Sequence, residues 1–306
     1  MKKSVALLAI FALVLSPVTP AARAATYTVT TNADSGAGSL RQAITDANAA
    51  TGSHTIAFSG AIGTINLLSA LPSITFTPVF DLSGATGTVS LAGGAMGSST
   101  VVSLDGGAAG GTFTLGTGAG MPGTNELVVG DTGRATLNVT NGATLDNTVT
   151  RIGNVSGSTG AVTVDGAGSA WTTSDQINVG YSGTGTLDII NGGSVTNSWY
   201  AMDIGENAGS VGIATVSGAG SSFLSTHGAV YVGAYGTGTL NVTDGGSVTQ
   251  VGGMRVGQYG SGIGTMNITS GGQVVNSQTG IIGFAAGSTG TVNVDGAGSS
   301  WTNINT

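Results

Sequence analysis

One phrase recurs in near-identical form three times along this chain. It reads GSTGAVTVDGAGSAW ending at Trp171, GSVGIATVSGAGSSF ending at Phe223 and GSTGTVNVDGAGSSW ending at Trp301. A second phrase alternates with it: GRATLNVTNGATL from Gly133, GTGTLDIINGGSV from Gly183, GTGTLNVTDGGSV from Gly236 and GIGTMNITSGGQV from Gly262. Self-similarity at this spacing means one supersecondary unit stacked upon itself.

A hydrophobic-Gly step marks each unit: Val129-Gly130, Ile152-Gly153, Val179-Gly180, Ile204-Gly205, Val232-Gly233, Val256-Gly257 and Ile282-Gly283. The glycines lie 23 to 28 residues apart. Each unit carries three short strand-like pieces. Period-two alternation, as in Thr239-Leu240-Asn241-Val242-Thr243, sends Leu240 and Val242 to one face and Asn241 to the other. Gly and Asn between the pieces provide turns with positive φ. Three strands and three turns in about 25 residues suit one coil of a right-handed parallel β-helix, each strand pairing with its equivalent one coil away. A β-propeller would need two units per blade. The consecutive phrases at Gly236 and Gly262 break the alternation such a blade requires. Seven such coils make a rod segment of roughly 30 Å.

The composition agrees with a solenoid. Gly makes up 56 of 306 residues, only 7% are charged and there is no Cys. The glycines hold fixed places among Val, Ile and Leu, which separates the chain from Gly-rich disorder.

Lys2 and Lys3, an apolar run from Val5 to Leu15, and Ala22-Arg23-Ala24 read as a secretory signal peptide over residues 1–24. The apolar run is shorter than a membrane span, so no transmembrane segment is expected in the mature chain. Cleavage after Ala24 removes Lys2, Lys3 and Arg23 and takes the net charge from −7 to about −10. That balance argues against nucleic acid or anionic membrane surfaces as partners. Residues 25–126 read as a cap and irregular early coils. In this region Gly38 to Asn48 is the one convincing helix, with Ser39 and Gln42 spaced as a capping box and Leu40, Ala43, Ile44 and Ala47 on one face. Such a helix covers the open end of a solenoid. Apolar pieces at Thr55–Phe58, Thr64–Leu68, Ile74–Phe80 and Thr88–Leu91 read as early coils, with further strands at Val101–Leu104 and Thr112–Leu115. Residues 127–306 carry the regular repeats.

GSLRQAITDAN followed by HTIAFSGAIGTINLLSALPSI resembles an N-terminal segment of bacterial surface β-helix proteins that begins C-S-L-R-E-A-I-x-x-A-N, with Gly38 and Gln42 here in place of Cys and Glu. The repeats from Leu127 to Trp301 resemble those shared by autotransporter (type V secretion) passengers and PEP-CTERM proteins. That resemblance implies an exported β-helix displayed at a bacterial cell surface or released outside it. It implies no catalytic residue. The C-terminal membrane barrel of the first family and the sorting signal of the second do not follow in this sequence, so attachment to the outer membrane is expected through a region outside this chain.

Catalysis and metal binding find little footing. Asp165 and Asp295 are equivalent, but Ser217 stands between them, so no ladder of acids forms. The Asp of each Asp-Gly step is expected to bond its own backbone. His54 and His227 are isolated and no zinc ligand set exists. The acids at Asp131, Asp146, Asp203 with Glu206, and Asp244 make a weak case for calcium. No cofactor is expected. The residue before each hydrophobic-Gly step forms an outward column, Val128, Arg151, Asn178, Asp203, Tyr231, Arg255 and Ile281, which reads more readily as a solvated face than as a binding surface. Within it Tyr231 and Arg255, and beside it Trp199 with Tyr200, are the candidate surface contacts. Trp171, Phe223 and Trp301 recur in register and read as core fillers. The expected function is that of an exported, non-catalytic passenger, adhesin-like or structural. Its partners would be host or bacterial cell-surface glycans or proteins, or other copies of itself. A polysaccharide lyase or glycosidase on the same scaffold, and a self-associating matrix or aggregation factor, stay open as alternatives.

Overall fold

In a computed structural model that describes residues 24–304, the strands wind into a β-solenoid of about 11 turns. At one strand spacing per turn the rod is about 50 Å long. It exceeds the seven regular coils because the early, irregular segments stack on the same ladders. The expected signal segment lies outside the described residues apart from Ala24.

A single coil shows why these residues fold this way. Ile177–Val179, Thr184–Ile190 and Ser194–Asn197 are its three strands. Each pairs in parallel with its counterpart in the coils above and below. Ile177–Val179 lies against Thr150–Ile152 on one side and Met202–Ile204 on the other. The seven-residue strands keep perfect register across Arg134–Thr140, Thr159–Asp165, Thr184–Ile190 and Val211–Ser217. Their inward residues form two columns. Leu137, Val162, Leu187, Ala214, Leu240 and Met266 make one, and Val139, Val164, Ile189, Val216, Val242 and Ile268 the other, all buried. The hydrophobic-Gly steps supply a third column from Val129 to Val256, also fully buried.

The glycine of that step has two reasons to be glycine. Gly180 has φ of 73°, and a Cβ there would land on the carbonyl oxygen of Val211 in the next coil. The expected positive-φ turns are present as well: Asn141 and Asn191 sit at φ 55° and 53°, each followed by a glycine of positive φ.

The early strands run His54–Phe58, Gly63–Asn66, Pro78–Asp81, Thr88–Ala92, Ser99–Asp105 and Thr112–Leu115. The piece expected over Ile74–Phe80 is extended strand only from Pro78, although Ile74 and Phe76 are buried. The helix spans Leu40–Asn48 and buries Leu40, Ala43, Ile44 and Ala47. Its cap is half of the expected box. Ser39 Oγ accepts from the Gln42 N–H at 3.2 Å, but the Gln42 amide turns along the helix to Asp46, 2.7 Å away. Arg41 fastens the cap to the rod through Asp34 and the carbonyls of Ser69 and Ala70.

Candidate functional site

The column expected from the sequence is a real ladder. Register places Val128, Arg151, Asn178, Asp203, Tyr231, Arg255 and Ile281 one above another. Its environment differs from the solvated face that was expected. Val128, Asn178 and Asp203 are buried, and Arg151, Tyr231, Arg255 and Ile281 are half-buried. Cavities open along this face beside Arg151 and beside Tyr231, Arg255 and Ile281, so these outward residues line a broken groove.

Aromatic residues crowd this face. Five of the six tyrosines, Tyr181, Tyr200, Tyr231, Tyr235 and Tyr259, lie in the coils that carry it. Trp199 and Tyr200, singled out in the sequence, are 68% and 60% exposed. Trp199 stacks on His227 at 4.9 Å between centroids, and on the opposite flank Tyr235 stacks on Tyr259 at 4.6 Å. These pairs are coil-to-coil neighbours, so their spacing is that of the ladder itself.

The two arginines of the column are held alike. Arg151 lies over the Tyr181 ring at 4.8 Å and Arg255 over Phe284 at 4.5 Å, the aromatic in each case following the step glycine of the next coil. Arg255 also faces Tyr231 in the preceding coil at 5.6 Å. Arg151 is paired with the Glu126 carboxylate. Arg255 has no carboxylate partner among the described residues.

Between the arginines lies a carboxyl pair. Asp203 is 3% exposed, accepts from Gln176 Nε2 at 2.6 Å and meets Glu206 three residues on. Burial, then the neighbouring Glu206 charge, pushes Asp203 up to about 8. Burial also raises Glu206. Both shifts favour a proton held on the pair. The two carboxyls of a glycosidase stand roughly 5–9.5 Å apart across a substrate. These two touch, and Asp203 is enclosed. Asp188, on the neighbouring sheet, is likewise raised by burial.

No family model, curated protein or solved structure matches this chain.

The remaining sequence candidates fall elsewhere. Trp171 and Phe223 are buried and Trp301 is half-buried against the core. Asp295 accepts from the Gly296 N–H at 2.8 Å, the local turn bond expected. Asp165 instead accepts from Asn191 Nδ2 of the next coil at 2.8 Å. His54 is buried, its Nδ1 taking the Ala25 N–H at 3.2 Å, and is a structural residue of the first coil. Among the described residues no helix is long and apolar enough to cross a membrane.

Sequence reasoning missed the internal polar ladder. Thr124, Asn147, Thr173, Asn197, Ser225, Gln250 and Asn276 stack at one corner of the rod, all buried. The signal was available: Asn197 is two residues beyond inward-facing Val195, so alternation already points it inward.

Proposed function

We propose that this chain is an exported, surface-displayed β-helix passenger that binds rather than catalyses, and that it engages cell-surface glycans or proteins through the aromatic groove. One observation carries the reading. Trp199, Tyr200, Tyr231 and Tyr235 gather on a single face of a rod whose other sheet is dressed in Thr, Ser and Asn. Folding gains little from leaving indole and phenol rings half in water, whereas interfaces favour them. A stiff rod also offers neighbouring coils at a fixed spacing, so weak contacts add along it. Export and surface display rest on the signal-peptide pattern and on the resemblance of the repeats.

The experiment is adhesion. Beads coated with the purified protein should adhere to bacterial or host cells, and a Trp199→Ala/Tyr200→Ala double variant should adhere less while melting at the same temperature. Equal adhesion by the double variant would remove the face from the proposal. Turnover of a pectin, glucan or host glycan that is abolished by one Asp→Asn change would replace it with the enzyme reading.

A further inference from the structure

The two arginines of the column form an internal comparison. Both occupy the same ladder position, and both lie over an aromatic ring of the next coil. They differ in one neighbour. Arg151 pairs in register with Val128, and two residues before Val128 stands Glu126, whose carboxylate closes on the guanidinium. Arg255 pairs in register with Tyr231, and two residues before Tyr231 stands Ala229. Both sites open onto a cavity, but where the first has a carboxylate in it the second has a methyl group, and the cavity there is about 280 Å³. Ala229, Tyr231, Arg255, His227, Gln278 and Thr279 line it, and Gly252 and Gly253 keep its wall low.

We propose that this cavity binds the carboxylate of an acidic sugar unit, a uronate or a sialate, in the place that Glu126 fills beside Arg151. Arg255 supplies the charge. It makes no hydrogen bond to another described residue, so its donors are free for a planar carboxylate. Tyr231 and Phe284 on either side fix the guanidinium plane, which leaves little side-chain freedom to lose on binding. The room beyond Ala229 fits a pyranose ring, and the Gln278 amide, the Thr279 hydroxyl and the His227 ring can meet its hydroxyls. Through the Trp199–His227 stack the cavity joins the aromatic patch. The mature chain is acidic overall, so a positive group without a partner in such a molecule marks a selective point for an anion. This inference rests on the groove being a binding face and names what one end of it recognises.

The test uses galacturonate and glucuronate oligomers as probes, with neutral oligomers of the same length, dextran sulfate and a poly-glutamate peptide as the other arms, by calorimetry at low and at physiological salt. The uronate oligomers should bind one per chain, more weakly as salt rises. Arg255→Gln should weaken them by about tenfold or more. Ala229→Glu should do the same without changing the melting temperature, since it rebuilds the pair already present at Arg151. Glu126→Ala should open the equivalent site and raise the stoichiometry toward two. Equal binding of neutral oligomers, tighter binding of dextran sulfate or of poly-glutamate, or indifference to both Arg255→Gln and Ala229→Glu would overturn the assignment. Cell adhesion that survives both of these substitutions but not Trp199→Ala/Tyr200→Ala would overturn the carboxylate site alone and leave the groove standing. Adhesion unaffected by any of them would remove both.

Discussion

The indole N–H of Trp171 donates to Asn147 Oδ1 at 2.7 Å, one coil away in the polar corner of the rod. The same bond joins Trp301 to Asn276, also at 2.7 Å. The middle copy of the phrase has Phe223 at this register, opposite Val195, with Asn197 two residues on. A phenyl ring has no N–H, and Asn197 Oδ1 is buried without a partner. The repeat thus contains both a satisfied and an unsatisfied version of one contact.

Phe223→Trp should therefore stabilise the protein. The missing donor appears where the other two copies have it, and a buried acceptor left unpaired costs about 1–3 kcal/mol. A void of about 10 Å³ lies on the core side of Phe223, where Ala214 interrupts a column of larger residues, and can take up part of the added volume. The reverse change, Trp171→Phe, should destabilise by a similar amount, about 1–3 kcal/mol, because it orphans Asn147 and empties volume. Chemical denaturation of the three proteins decides it; a Phe223→Trp variant less stable than the wild type would mean that the corner has no room for the indole.

Val232 and Thr237 test the inward and outward assignment on one coil. Val232 is fully buried in the hydrophobic-Gly column, while Thr237 is exposed at the start of the next strand. Val232→Asp places an unpaired carboxyl between coils, at a cost of several kcal/mol or loss of local stacking. Thr237→Asp should change stability by less than about 0.5 kcal/mol. Circular dichroism melts that shift equally for both would invert the assignment.

Ser270 offers a gain. It has φ of 51° at a turn where the equivalent residues Asn141 and Asn191 adopt the same left-handed conformation. Asn tolerates that region better than Ser. Ser270→Asn should raise stability by roughly 0.5–1 kcal/mol, the range seen when a residue is matched to its backbone. The midpoint of a denaturant titration reads this directly.

The sequence makes the ladder legible because every coil repeats the same contacts, so one register repeated down the chain places all of the Val, Ile and Leu columns and identifies which outward residues stack. What it does not show is depth. Register says that Asn178, Asp203 and Tyr231 share a column, but not that the first two are buried and the third only half-buried. Likewise Glu126 and Ala229 sit in dissimilar local phrases, and only the pairing of Val128 with Arg151 and of Tyr231 with Arg255 makes them equivalent. The Gln42 side chain illustrates a smaller limit. Spacing permits both arms of the capping box, and the choice falls to the nearby Asp46.

The carboxyl pair makes stability depend on pH in the direction opposite to a carboxylate that gains a cationic or hydrogen-bonding partner on folding. Asp203 is pushed up to about 8, first by burial and then by the Glu206 charge, whereas the same group in the unfolded chain titrates near 3.8. Between those values the folded protein keeps a proton that the unfolded chain has released. The unfolded state then binds fewer protons, so stability falls as pH rises from about 4 to about 8 and levels off beyond. The loss attached to this site is on the order of a few kcal/mol. The groups facing Asp203 are Glu206, Gln176 and Tyr231. Glu206 is itself raised by burial and adds to the slope. Asp203→Asn keeps the shape and both hydrogen-bonding neighbours but carries no proton to lose. Its melting temperature should exceed that of the wild type at pH 8, approach it at pH 4, and vary less between the two. Parallel melting curves for wild type and Asp203→Asn across that range would show that Asp203 is ionised in the folded rod.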